Sequence, residues 1–200
     1  MRIGIKVTFS LLLVMAALSS AQLAANAQTV APARQIRGEI AFDYSFVRSN
    51  APPDGCGCFN LNGGSGTFAW LFHQEHLALV GDATLAQANS ISANHYNLTL
   101  SSYTAGLRYK QSAHHSLQPF GQVLVGIAHA GGSLAHGPSS SISNAGAAFA
   151  ANVGGGVDLR ATPRLSLRLA EVDYLVTTFK NGDNDHQNNL RLSAGVVFRF

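Results

Sequence analysis

Three observations predict an all-β fold, an eight-stranded antiparallel up-and-down transmembrane β-barrel. Apolar and polar residues alternate with period two in segment after segment, where a helix would scatter both sets. The connections between these segments alternate between short and long, the habit of membrane barrels. The last segment, Leu190 to Phe200, ends on an aromatic residue and is apolar at every second position before it.

Composition sets the frame. Of 200 residues, 12% are charged and 46% hydrophobic, about half the usual charged share of a soluble domain, so disorder is excluded and one domain is expected. The formal charge is +3, but no basic tract tracks phosphates, and nucleic-acid binding is not expected. Arg2 and Lys6 precede an apolar run from Val7 to Leu18, followed by Ala25-Asn26-Ala27. That order is a secretory signal peptide over residues 1–27, and the run of about 12 residues is too short to cross a bilayer as a helix. The residue immediately after the cleavage point is Gln28 and not a Cys, so a lipid anchor is not indicated. Residues 28–34 form a lead-in, and residues 35–200 the barrel.

The strands follow in chain order. Ile36, Ile40, Phe42, Tyr44 and Phe46 alternate with Arg37, Glu39, Asp43 and Ser45 in the first. Phe68, Trp70 and Phe72 mark the second, from about Gly64. Leu77, Leu79, Ala83 and Leu85 oppose Asp82 and Thr84 in the third, and Tyr103, Ala105, Leu107 and Tyr109 oppose Thr104, Arg108 and Lys110 in the fourth. The fifth sets Leu117, Gly121, Val123, Val125 and Ile127 against Gln118, Gln122 and Gly126. The sixth sets Phe149, Val153 and Val157 against Asn152, Asp158 and Arg160. In the seventh the phase slips, with Leu165, Leu167 and Leu169 on one face but Val172, Tyr174 and Val176 continuing it, so a bulge is expected near Ala170. The eighth sets Leu190 through Phe200 against Arg191, Ser193 and Arg199.

Short turns are expected at His73 to His76, Gln111 to Leu117 and Ala161 to Leu165. Long loops are expected at Asn50 to Gly63, Asn89 to Tyr96, Gly131 to Gly146 and Lys180 to Asn188. Eight strands of about 10 residues leave ample chain for these connections, whereas a sixteen-stranded porin would leave almost none.

A soluble barrel of the lipocalin type, a periplasmic carrier, would also alternate, with its charges outside. Aromatics near segment ends, the sorted loops and the mixed charge signs on one face favour the membrane. The charged face then becomes the lumen, since a lipid-facing Arg at mid-bilayer costs about 2 to 4 kcal/mol. The lumen set is Arg37, Glu39, Asp43, Asp82, Arg108, Asp158, Arg160, Arg168, Glu171, Asp173, Arg191 and Arg199. An ion-paired, plugged interior is expected over a conducting pore, because eight strands leave room only for side chains.

The terminal strand, with Val196, Phe198 and Phe200, resembles the C-terminal signal by which outer-membrane proteins are recognised for assembly. Leu117-Gln118-Pro119-Phe120-Gly121, Gly154-Gly155-Gly156-Val157-Asp158 and Glu171-Val172-Asp173-Tyr174 resemble strands five to seven of the OmpA-like transmembrane domain. The resemblance implies residence in the Gram-negative outer membrane, with lipid, lipopolysaccharide, the barrel assembly machinery and an unidentified extracellular ligand as partners. The implied role is structural or one of surface interaction through four loops. Larger family members add a peptidoglycan-binding domain, which this sequence lacks, so a cell-wall tether is not implied.

The remaining reactive residues are few. Cys56-Gly57-Cys58 in the first long loop could form a strained local disulfide, stay as thiols, or supply half of a zinc shell. The eight His divide between the two barrel ends without metal-ligand spacing, and no metal or cofactor is expected. Asp183-Asn184-Asp185 lacks the downstream Glu of a calcium loop. Some eight-stranded barrels are lipid A deacylases that use a closely spaced His, a Ser and a carboxylate. Here His129, Ser133 and Asp183 or Asp185 are the candidates for that alternative, without the His-x-Ser spacing.

Overall fold

A computed structural model describes residues 38–49, 58–72, 76–91, 95–111, 116–132, 147–179 and 186–200. They form eight strands and no helix: β1 (Gly38–Ser49), β2 (Phe59–Phe72), β3 (Leu77–Ile91), β4 (Tyr96–Lys110), β5 (Leu117–Gly131), β6 (Ala148–Arg160), β7 (Leu165–Thr177) and β8 (Gln187–Arg199). Each pairs antiparallel with the next, and β8 pairs back onto β1, closing the barrel. Residues Ile36 to Phe200 make up one compact unit.

Closure requires stagger, and the registers give its size. From Asp43 the pairing runs through Ser65, Thr84, Ser102 and Ala128 to Ala148 of β6. In the other direction it runs through Gly195 and Arg168 to Asp158 of the same strand. The two routes end ten residues apart, a shear that tilts the strands and leaves an interior only wide enough for side chains. At the seam, Gly38 and Phe200 exchange both backbone hydrogen bonds at 3.0 Å. The Phe200 ring lies where a Gly38 Cβ would stand.

The expected bulge is present in β7. Pairing to β6 steps from Val157↔Ala170 to Asp158↔Arg168, leaving Leu169 as the extra residue. Leu169 and Ala170 are consecutively exposed, so the inward phase passes from Arg168 to Glu171. The loops are shorter than the sequence suggested on one side. β2 begins at Phe59 rather than Gly64, and β3 and β4 continue to Ile91 and from Tyr96, with a second bulge and a left-handed Ser90 (φ 59°). Residues 132–147 form the longest connection.

Alternation sorts the two faces. Phe42, Tyr44, Phe68, Trp70, Leu107, Tyr109, Val153, Tyr174, Phe198 and Phe200 are exposed on the outside. Every acidic side chain among the described residues is buried inside. A protein that exposes its aromatics and buries its acids is built for a hydrocarbon surround.

Candidate functional site

The lumen holds an ion network and two buried apolar clusters, the smaller of which, Ala69, Leu71, Ala78, Val80 and Leu124, lies on β2, β3 and β5. Toward the turn end and the middle, five cations and six carboxylates form one connected network. Arg199 pairs with Glu39 at 3.2 Å, Glu39 with Lys110, and Lys110 with Asp158 at 3.2 Å. Asp158 takes Arg168 at 3.1 Å, which also reaches Asp43 at 3.0 Å and Glu171 at 2.8 Å. Arg191 joins Glu171 at 3.0 Å to Asp173 at 2.7 Å and Asp82 at 2.8 Å. Arg108 lies 3.8 Å from Glu171 and donates to Gln122 Oε1 at 2.6 and 2.9 Å.

Neutral side chains tie in the two strands that bring no charge. Thr67 of β2 donates to Asp82 at 3.1 Å, and Gln122 of β5 donates to Asp173 at 3.0 Å and Glu171 at 3.2 Å. The network therefore touches all eight strands. Each ion taken from water would cost several kcal/mol alone, so a lumen of this kind holds only if nearly every charge has a partner.

Phe120 sits inside this charged level. The guanidinium of Arg108 lies 4.4 Å from its ring centre, that of Arg168 4.9 Å, and the Lys110 ammonium 5.9 Å. The ring occupies space left by Gly156, its register partner on β6, where a Cβ would come within 2.8 Å of Phe120 Cζ and meet the Ala170 carbonyl. Gly156 is thus a cradle, and enlarging it is not the mild change that its lumen-facing position alone suggests.

Toward the loop end the chemistry reverses. Val47, Phe59, Leu61, Ile91, Leu98, Leu100, Leu175 and Phe179, with alanines of β3, β5 and β6, form one buried apolar cluster. Gln187 brackets it by accepting from Phe179 N at 3.0 Å and donating to Phe179 O at 2.7 Å. An alkyl layer therefore lies between the ion network and the loops.

Of the sequence-derived lumen residues, Glu39, Asp43, Asp82, Arg108, Asp158, Arg168, Glu171, Asp173, Arg191 and Arg199 come together. Arg37 lies outside the described residues. Arg160 departs from the expectation: it is exposed at the last position of β6, at the rim, with no ion pair to any described residue. Sequence reasoning puts Lys110, Gln118 and Gln122 on the polar faces of β4 and β5 but leaves them out of the lumen set, and it gives Phe120 no place in the lumen. Val196, Phe198 and Phe200 face outward along β8, half-exposed or exposed. Cys58 is exposed just before β2, while Cys56, Ser133, Asp183 and Asp185 lie outside the described residues. His129 is half-exposed on the outer wall, opposite Ser101 in register.

A closed antiparallel barrel with paired charges inside and aromatics outside satisfies every demand of a membrane-spanning sheet. The chain matches the outer membrane protein beta-barrel domain over residues 10–200 and belongs to that family, whose members lie in the Gram-negative outer membrane. Three solved eight-stranded barrels show the same fold. Neisserial surface protein A superimposes with a TM-score of 0.60 at 17% identity, over 82% of this chain and 97% of that one. OprG of Pseudomonas aeruginosa gives 0.54 at 11%, over 82% and 96%. Ail of Yersinia pestis, solved with the heparin analogue sucrose octasulfate, gives 0.51 at 16%, over 82% and 100%. No curated protein matches the sequence.

Proposed function

We propose that the protein is a closed scaffold of the OmpA-like kind, set in the outer membrane after removal of residues 1–27, which works at the cell surface through the loops on its long-connection side. The observation that carries this reading is the filled lumen. An ion network and an alkyl layer stacked above it occupy the interior, so passage of solutes is not the barrel's task. The long connections 50–58, 92–95, 132–147 and 180–186 are carried on a rigid frame, where binding residues are usually placed. Their partner is an extracellular ligand. The outward row of Val196, Phe198 and Phe200 serves recognition by the barrel assembly machinery.

The test replaces residues 50–58, 132–147 and 180–186 by short Gly/Ser turns. Membrane insertion and the altered gel migration of unheated samples should persist, while adhesion of expressing cells to host surfaces is lost. Steady conductance of porin size in planar bilayers would overturn the closed-scaffold reading.

A further inference from the structure

The outer wall changes character at the loop end of β1 and β2. Phe42, Tyr44, Phe68 and Trp70 are its exposed apolar part. Beyond them, Arg48, Asn60 and Asn62 face the same way and are exposed. Asn60 stands opposite Arg48 in register, and Asn62 stands opposite Phe46 on one side and the exposed Gln87 of β3 on the other.

Two hydrogen bonds orient the amides. The Tyr44 hydroxyl donates to Asn62 Oδ1 at 2.7 Å, and Arg48 Nη1 donates to Asn60 Oδ1 at 3.3 Å. Each amide oxygen is engaged by a protein donor, and neither NH₂ bonds to a described residue. Arg48 forms no ion pair with any described residue and keeps the rest of its donor fork. With all six described acidic side chains in the lumen, no acidic side chain among the described residues competes for it. The patch is cationic and presents donors, the complement of an anion rich in acceptor oxygens. It also belongs to the wall that carries the exposed aromatics, so its neighbour is a membrane lipid.

We propose that Arg48, Asn60 and Asn62 form a docking site for the phosphorylated headgroup of an outer-leaflet glycolipid. Arg48 pairs with a phosphate, the two amides donate to phosphate or sugar oxygens, and the acyl chains run down the wall over Tyr44 and Phe42. This inference rests on the loop end being the outer end of the barrel.

Native mass spectrometry of the full chain folded in zwitterionic detergent tests it, with diphosphorylated lipid A and its dephosphorylated form as probes. The wild type should retain the phosphorylated lipid and not the dephosphorylated one. Arg48→Ala should retain about tenfold less, the loss of one charge-assisted contact, with Arg48→Lys intermediate. Migration of unheated samples checks that the variants fold, and the Asn60→Leu/Asn62→Leu pair gives a second reading should Arg48→Ala fail to fold. Equal retention by the wild type and every folded variant would overturn the site, as would equal retention of the dephosphorylated lipid. Complete displacement by millimolar inorganic phosphate would make it a free-anion site and overturn the lipid assignment. Bilayer conductance is a separate readout, so loss of this inference would leave the closed scaffold standing.

Discussion

At the level of Asp43, Asp82 and Asp173 the barrel is charged inside and apolar outside. At the level of Leu61 and Leu100 it is apolar inside, and on β2 to β4 polar outside, with Asn60, Asn62, Gln87 and Thr99 on the outer face, while Ile127 and Phe149 keep the outer face of β5 and β6 apolar. The period of two is the same in both regions, but on β2 to β4 its polarity inverts. The inversion marks where hydrocarbon ends: below it the outer face must be apolar, and above it the outer face meets headgroups and water while the interior still has to be filled. Ions buried beneath an alkyl layer pair more strongly, and an incomplete pair there is costly.

The largest break in this comparison should come from the charged level. Arg168→Met leaves Asp43, Asp158 and Glu171 each short of a buried partner and should cost about 3 to 5 kcal/mol, measured by urea unfolding of the lipid-reconstituted protein. The apolar level should respond by a different mechanism. Leu61→Ala opens a cavity in a layer already lined by alanines, at about 2 to 5 kcal/mol, and should leave bilayer conductance unchanged because the ion network below stays complete. An equal loss from Leu61→Ala and Leu107→Ala, the latter on the lipid face, would show that the alkyl layer is not packed.

A smaller effect is expected at the junction of Phe120 with β6. Gly156→Ser should cost about 1 to 3 kcal/mol by overpacking. Adding Phe120→Leu should restore part of it, since the ring is one of the two obstacles and the Ala170 carbonyl is the other. Full recovery in the double variant would assign the whole clash to the ring, and none would assign it to the backbone.

How much was legible in the sequence follows from the same inversion. The eight strands and the closed barrel could be read because alternation needs no knowledge of partners. The loop end of β2 and the last residues of β3 fall within the expected loops: Phe59 and Leu61 point inward there while Asn60, Asn62 and Asn89 point outward, opposite in sense to the rest of each strand. A strand that changes polarity midway looks like a strand that stops. The charged set was legible from its shared face, but which carboxylate meets which cation depends on a stagger of ten residues that no single strand encodes. Phe120 was hidden for another reason. An aromatic among inward polar residues breaks the pattern, and its cation partners come from β4 and β7.

Arg160 gives the smallest expected effect and the sharpest control. It shares the inward phase of β6 with Asp158, two residues away, and sequence pattern places both in the lumen. Asp158 is fully buried between Lys110 and Arg168, whereas Arg160 ends the strand, exposed, and its backbone N–H donates to Ser116 O at 2.8 Å. A side chain beyond the rim is solvated in the folded and the unfolded chain alike, so its charge adds little to the difference between them. Arg160→Met should therefore shift stability by no more than about 0.5 kcal/mol in the urea experiment that registers Arg168→Met as a large loss. Matching losses from the two substitutions would mean that the ion network extends past the last residue of β6, and that the turn end of the lumen is sealed by charge beyond Arg199 and Glu39.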